Sequence, residues 1–309
     1  MTEDYSNYKY NYYGFIPNKG GNIFFLVVWA ILTICQIALT IPTSEIFFGV
    51  SMSIGCALEL IGYIGRTIGN GNPYVLSNYM MNSLGTVISP VFFMAGIYNC
   101  FGATIEMFGK KYSPLKPINY RRIFISLDVV SFLVQGSGGG VAASSNRDTA
   151  QMGFHIMLGG LILQVVTMSA FIIMVGQYFY KVHVNRDKLD QRYAELRNTS
   201  FFKAVMWSMC AAIFLIYIRS VYRVAEMAKG WGSDIMHNEK LFLVLDGAMC
   251  AIAIILLTVF YPGFSFKRKR DFDAAHHVVE GDNGNSDISI VYDDTQIALK
   301  DLETQRSTI

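Results

Sequence analysis

Six charged residues of this 309-residue chain lie inside long apolar segments, where such side chains are rare. A carboxylate or guanidinium in the middle of a lipid bilayer is costly unless it meets protein, water or an opposite charge. These residues therefore need partners or protons, and together they indicate a protein that moves or senses something within a membrane. The six are Glu59, Asp128, Arg219, Arg223, Glu226 and Asp246.

The second apolar segment carries an acid and a base at helical spacing. Glu59 and Arg66 are seven residues apart, with Tyr63 between them, and this spacing places the two charges on one face of a helix. Arg66 lies two turns nearer the end of the segment, so it is either a boundary anchor or part of a functional group. Glu59 lies deeper and requires a partner, a proton or an aqueous cavity.

The sixth segment holds the densest positive charge. Arg219 and Arg223 are one helical turn apart, Tyr222 lies beside them, and Glu226 follows three residues later. Two interpretations stay open. The arginines either form buried ion pairs that fix helix assembly, or they form a site for an anionic or amphipathic head group or a proton-coupled gate. The acids predicted as available partners are Glu59, Asp128 and Asp246.

The fourth segment combines an acid, an amide and a glycine run. Asp128 and Gln135 share one helical face, and Gln164 of the fifth segment is a candidate hydrogen-bond partner. Such a glycine-rich helix either unwinds beside a cavity, as in many transporters, or packs tightly against a neighbour through the pair Gly136 and Gly140. The glycines are Gly136, Gly138, Gly139 and Gly140.

Seven segments are long and apolar enough to cross a bilayer, since a spanning helix needs about 20 mostly apolar residues. The sequence therefore predicts an all-α, polytopic membrane protein with seven transmembrane helices. The predicted spans are 22–41, 45–65, 79–105, 122–144, 153–180, 204–226 and 241–261.

The distribution of Lys and Arg predicts the orientation. Fifteen of these residues flank the spans on one side and six on the other, which places the N-terminus outside and the C-terminus in the cytoplasm. We therefore expect a Tyr-rich outer tail (1–21), a membrane domain (22–265), and a basic, then acidic, disordered cytoplasmic tail (266–309). The sequon at Asn198 falls in a predicted cytoplasmic loop and should stay unmodified.

Several function classes lack their sequence patterns. No Walker motif or P-type phosphorylation sequence occurs, so the chain is not expected to hydrolyse ATP. We predict no catalytic residues, no metal site, no cofactor and no nucleic-acid partner. The five cysteines all fall within predicted spans, where they are interpreted as small apolar residues.

Six motifs in order resemble the fungal lipid-translocating exporters, a family of seven-span proteins. The resemblance covers nearly the whole chain to about residue 265. The motifs are Tyr13-Gly14-Phe15-Ile16-Pro17, Glu59-x-x-Gly62-Tyr63-x-x-Arg66, Asp128-x6-Gln135 with Gly138-Gly139, Arg219-x-x-Tyr222-Arg223-x-x-Glu226, Glu239-x6-Asp246 and Tyr261-Pro262-Gly263.

The resemblance implies a protein of the plasma membrane, or of an internal membrane, that protects the cell from a toxic amphiphile. The implied partners are membrane lipids and a small substrate that is sphingoid-base-like, sterol-like or porphyrin-like. A head-group site is expected at Glu59, Asp128, Arg219 and Arg223. The alternatives are a seven-helix receptor-like sensor, an intramembrane enzyme acting on lipids, and a regulator of other transporters. Substrate, direction, energy coupling and oligomeric state stay open.

Overall fold

Helices make up all the regular structure in the part of the chain that the computed structural model describes, residues 18–71, 73–142, 144, 146–185, 193–229 and 239–281. Seven helical segments within these ranges are long and apolar enough to cross a membrane, which confirms the seven-span, all-α architecture. Most of the Tyr-rich N-terminal tail and the acidic residues 282–309 lie outside the described ranges.

The helices are α1 (Lys19–Thr43), α2 (Ile46–Gly71), α3 (Leu76–Phe108), α4 (Pro117–Ala142), α5 (Arg147–Val184), a short α6 (Ala194–Asn198), α7 (Ser200–Ala228), α8 and α9 (Pro262–Gly281). Helix α8 is continuous and comprises Glu239–Leu241, a π-helical turn over Phe242–Ala248, and Met249–Val259.

Local sequence explains where α1 begins and ends. The Asn18 side chain caps the helix by accepting a hydrogen bond from the Gly21 backbone N–H at 3.1 Å. Pro42 lies in the last turn, and Ser44 follows in the left-handed conformation with φ of 54°. That conformation ends the helix, and the chain re-enters the bundle as α2 two residues later.

Glycines set the distance between α2 and α3. A Cβ atom at Gly85 would lie 2.7 Å from the Leu58 carbonyl oxygen and 3.1 Å from Gly62 Cα. The two backbones approach this closely because neither position has a side chain. The contact brings Glu59 of α2 against Ser89 of α3, which matters for the site below.

Helices α4 and α5 pack closely through another glycine set, and the expected pair is wrong. A Cβ atom at Gly138 would lie 2.6 Å from the Met157 backbone nitrogen, and one at Gly160 would lie 2.9 Å from the Ser131 carbonyl oxygen. Gly136 and Gly140 have no such neighbour within 4 Å among the described residues. The helix turns these two glycines away from α5.

The glycine run of α4 does not unwind. Helix α4 continues to Ala142, so tight packing rather than a broken helix accounts for Gly138 and Gly139. The irregular backbone lies in α8 instead, where the π-helical turn contains Asp246 and Gly247. Turns of this type are frequent at functional sites.

The described residues 266–281 belong to a unit separate from the residues that precede them. Its first part, including the basic run 267–270, belongs to α9, which ends at Gly281. The segment expected to begin a disordered tail is therefore helical up to this residue.

Candidate functional site

Arg219 of α7 connects four helices. Its Nη2 donates to Glu59 Oε1 at 2.7 Å, and its Nε donates to Asp246 Oδ1 at 2.9 Å. Nη2 also donates to the Thr86 carbonyl oxygen at 2.5 Å, and Nη1 lies 3.4 Å from the Ser89 hydroxyl. The Ser89 hydroxyl itself donates to Glu59. One guanidinium, 1% exposed, thus joins α2, α3, α7 and α8.

Arg223, one turn further along α7, shares an acid with Arg219. Its Nε donates to Asp246 Oδ1 at 2.7 Å, and its Nη2 lies 3.3 Å from Asp246 Oδ2. Nη1 donates to Glu226 Oε2 at 2.9 Å, and Nη2 donates to the Thr86 hydroxyl at 2.5 Å. We call the set of these ionic side chains the charge network: Glu59, Arg219, Arg223, Glu226 and Asp246.

A second polar group lies along the same helices beyond Arg223. Arg66 Nε donates to Asn22 Oδ1 at 3.0 Å, and Arg66 Nη2 lies 3.4 Å from Glu239 Oε1. The Phe242 ring connects the two groups, because its centroid lies 3.9 Å from Arg66 Cζ and 4.9 Å from Arg223 Cζ. Arg66 is 3% exposed, so it is buried among protein groups.

The charge network is close to electrically balanced. Two guanidinium groups face three carboxylates, and the acid in excess is Glu226, the most exposed of the three, at 11%. In a low-dielectric interior each partner stabilises the other, and removing one leaves a costly unpaired charge. The arginines are therefore already occupied by acids of the protein itself. In this arrangement they offer no free positive charge to an anionic head group.

Asp128 does not belong to the charge network, which corrects its expected role as a partner of the arginines. It lies in α4, 1% exposed, and its Oδ2 accepts the Tyr98 hydroxyl hydrogen at 2.9 Å. Tyr98 follows Ser89 by nine residues on α3, so the two acidic sites are about 13 Å apart along that helix. No cation among the described residues pairs with Asp128, and its Oδ1 has no hydrogen-bond partner there.

The other predicted residues are buried at helix contacts. Gln135 Nε2 donates to Gln164 Oε1 at 3.0 Å, which confirms the expected hydrogen bond between α4 and α5. The Tyr63 and Tyr222 hydroxyls are buried without a hydrogen-bond partner in the described ranges. Tyr63 stacks on Phe25, with ring centroids 5.3 Å apart.

Several contact residues carry no signal that the sequence alone would reveal. Thr86 and Ser89 are three residues apart on α3, but hydroxyl side chains are common in spanning helices, so their positions in the sequence do not mark them as site residues. Phe242 and Tyr98 are single aromatics among many. Their importance follows from the partners that the fold brings to them.

A cleft of about 480 Å³ borders the first turns of α5 and is separate from both sites. None of the network residues or Asp128 lines it. The lining residues are Asp148, Gln151, Met152, His155 and Ile156.

The fold and the buried charges define a polytopic membrane protein whose helices are joined by ion pairs inside the bundle. Residues 52–269 match the family described as "RTA1 like protein", and the chain belongs to that family. The matched range contains the whole charge network, Arg66, Asp128 and Gln135. The family resemblance inferred from the motifs is thereby confirmed.

Named relatives come from Saccharomyces cerevisiae. The chain is 31% identical over 285 residues to the sphingoid long-chain base transporter RSB1, covering 83% of this chain and 74% of the relative. It is 27% identical over 213 residues to Protein RTM1, covering 68% of this chain and 66% of that protein. The match to Protein RTA1 is 26% over 209 residues, covering 67% and 63% respectively. No solved structure matches the chain.

Proposed function

We propose that this protein translocates a lipid-like amphiphile across a membrane and so gives resistance to it. Sphingoid bases are the first substrate class to test, with sterol-like and porphyrin-like amphiphiles next. We expect the protein to act without ATP hydrolysis, cofactor or catalytic chemistry, and to reside in the plasma membrane. Its driving force would then be a proton or substrate gradient.

The similarity to a protein named as a sphingoid long-chain base transporter carries this proposal, because it extends over 83% of the chain. Seven spans with charged side chains inside the bundle support it, since buried ionisable groups in spanning helices mark substrate and ion pathways. An amphiphile also suits the surface of the bundle. Large apolar side chains such as Ile34, Trp207 and Phe214 are exposed on α1 and α7, where acyl chains would meet them.

Flux in reconstituted vesicles tests the function directly. The purified full-length chain is placed in proteoliposomes, and transfer of a labelled sphingoid base, an aminosterol and a porphyrin is measured with and without a pH gradient. We expect transfer of at least one compound above that of protein-free vesicles. Gly136→Ala serves as the matched variant, because a Cβ atom there meets no neighbouring atom within 4 Å.

Glu59→Gln then tests whether the charge network takes part in transport. We expect it to abolish flux, because Arg219 loses one of its two acids. Thermal unfolding of the same sample reports whether the variant is folded. If no preparation shows flux although folded wild-type protein is present, the transporter function is contradicted. That result would favour a receptor-like sensor that acts through other pumps.

A further inference from the structure

Asp128 differs from the other buried acids of the bundle. Glu59 and Asp246 each contact at least one arginine within 2.9 Å, whereas the only described hydrogen bond to the Asp128 carboxyl comes from the neutral Tyr98 hydroxyl. Its second oxygen is buried and has no partner among the described residues. An unpaired carboxylate in an apolar interior is costly unless it takes up a proton or meets a cation.

No described charge on the neighbouring helices compensates Asp128. From α3 the titratable group that meets Asp128 is Tyr98. From α5, Phe171 contacts the Tyr98 ring and Gln164 hydrogen-bonds Gln135, and neither side chain titrates. Arg121 on α4 is two turns away and donates to Asn99 Oδ1 at 3.1 Å.

The surroundings of Asp128 suit a cation rather than an anion. Tyr98, whose hydroxyl contacts Asp128, belongs to a cluster of three aromatic rings, with centroids 4.6 Å apart for Tyr98 and Phe171 and 5.4 Å apart for Tyr98 and Phe124. Phe124 precedes Asp128 by one turn on the same helix. Aromatic faces attract ammonium groups, most strongly where water is excluded.

A second unused acceptor lies on the same face of α4. Gln135 Oε1 is buried and has no partner in the described ranges, while its amide nitrogen donates to Gln164. The Gln135 oxygen is an acceptor, and the open Asp128 oxygen becomes one when the carboxyl has lost its proton; the two positions are about 10 Å apart along the helix. Acceptors of this kind hold the N–H and O–H donors of an amino alcohol and do not hold an anion.

We propose that Asp128 is the group at which this protein exchanges a proton for the protonated amine of its substrate. When the ammonium group arrives, the carboxyl O–H bond breaks and the proton leaves to water on the side from which the amine came. The carboxylate then accepts charge-assisted hydrogen bonds from the ammonium. On the opposite side a proton from water returns to the carboxylate, and the substrate is released with its ammonium group still protonated. The exchange is electroneutral, one proton for one cation.

This inference rests on the proposed function for its substrate, but one test of it needs no transport. Binding of a sphingoid base to the purified full-length protein in detergent is followed in weak buffer with a pH indicator. Wild-type protein should release about one proton per base bound. The Asp128 carboxyl loses its proton, and the base does not take it up because its amine arrives already protonated. Asp128→Asn should release none, and the uncharged N-acetyl derivative of the base should release none from either protein. Asp128→Glu should restore the release.

The fold of the variant is checked separately. An asparagine has nearly the shape of a protonated aspartic acid, so Asp128→Asn should melt at the temperature of the wild type. A large fall in melting temperature would show that Asp128 is charged and structural, and would overturn the proposal. Proton release by Asp128→Asn equal to that of the wild type would also overturn it.

Flux measurements separate this proposal from the proposed function. In proteoliposomes a gradient of one pH unit, acidic on the side to which the base moves, should raise the accumulation of the base by wild-type and Gly136→Ala protein by up to about tenfold, with no such effect in Asp128→Asn. If base flux did not depend on the pH gradient and were unchanged in Asp128→Asn, the transporter function would be supported and the exchange at Asp128 would be overturned. Proton release on binding without any flux would support the exchange site and overturn the transporter. If neither proton release nor flux were observed, both the exchange site and the transporter function would be overturned.

Discussion

At the level of single residues, Asp246 is the acid on which both buried arginines converge. Its Oδ1 accepts from Arg219 at 2.9 Å and from Arg223 at 2.7 Å. Glu226 also pairs with Arg223, but it is partly exposed at the end of the network. The two acids carry the same charge and differ in burial, so they provide a matched comparison.

Asp246→Asn should destabilise the protein far more than Glu226→Gln. We expect Asp246→Asn to lower the free energy of unfolding by about 3–5 kcal/mol, because two buried guanidinium groups lose their shared carboxylate. Glu226→Gln should cost about 1 kcal/mol or less, since water replaces a partly exposed partner. Denaturant unfolding in mixed micelles measures both. Equal losses would show that Asp246 is not the centre of the network.

Arg219→Lys should be damaging although the positive charge is kept. A lysine ammonium cannot reach Glu59, Asp246 and the Thr86 carbonyl together as the planar guanidinium does. We expect a loss of about 2–3 kcal/mol in the free energy of unfolding, the value of a lost hydrogen bond to a charged group.

Arg121→Lys is the control for that substitution. Arg121 is also on a spanning helix, but its recorded contacts are the Asn99 amide oxygen and the Phe47 ring. We expect it to change stability and base flux little. If both lysine variants changed stability and flux equally, the planar arrangement of donors on the Arg219 guanidinium would not be what stabilises the protein.

At the level of helices, close glycine contacts decide which faces meet. Helix α4 presents Gly138 and Gly139 inward and Gly136 and Gly140 outward. The same face carries Asp128 and Gln135, so the packing of α4 on α5 also fixes the orientation of the proposed exchange site.

Gly138→Ala and Gly136→Ala should therefore have opposite effects. The methyl group of Gly138→Ala would meet the Met157 nitrogen and the Gly153 carbonyl oxygen, so we expect a loss of about 1–3 kcal/mol. The methyl group of Gly136→Ala meets no atom of the described residues within 4 Å, so this variant should be neutral or gain up to about 1 kcal/mol from helix propensity. Thermal unfolding in detergent ranks the two variants. A stable Gly138→Ala variant would contradict the packing of α4 on α5.

The π-helical turn of α8 places Gly247 against Tyr63 of α2. A methyl group at Gly247 would overlap the Tyr63 hydroxyl, which makes no hydrogen bond within the described ranges. We expect Gly247→Ala to lower the melting temperature, Tyr63→Phe to change it little, and the double variant to recover part of the loss. If the double variant melted no higher than Gly247→Ala, the steric overlap would not be with the Tyr63 hydroxyl. The next neighbour of the added methyl group is the Phe25 ring.

At the level of the whole molecule, the orientation in the membrane is a prediction from charge alone. The positive-inside rule places the N-terminus outside and Asn198 in the cytoplasm. The substitution K9T completes a sequon that begins at Asn7 in the N-terminal tail. We expect a glycan on this variant in a eukaryotic host and none at Asn198, shown by a mass shift that endoglycosidase removes. A glycan at Asn198 would show that the protein has the opposite orientation to the predicted one.

The sequence by itself determined the number of spans and the presence of buried charges. Span number depends on hydrophobic length, a local property that can be read along the chain, and all seven predicted spans lie within the observed spanning helices apart from a residue or two at the ends of the second and fourth. Helical spacing also placed Arg223 and Glu226 next to each other, because residues three apart are neighbours on any helix, and the two side chains form an ion pair there.

Only the tertiary structure decided which partner each buried group has. Asp128 and Asp246 are both single acids in apolar spans, yet Asp246 pairs with two arginines and Asp128 with a tyrosine. The choice depends on the rotation of each helix about its axis and on the neighbour it packs against, and glycine contacts such as Gly85 with Gly62 set these. Such contacts join residues far apart in the chain, so no local pattern specifies them.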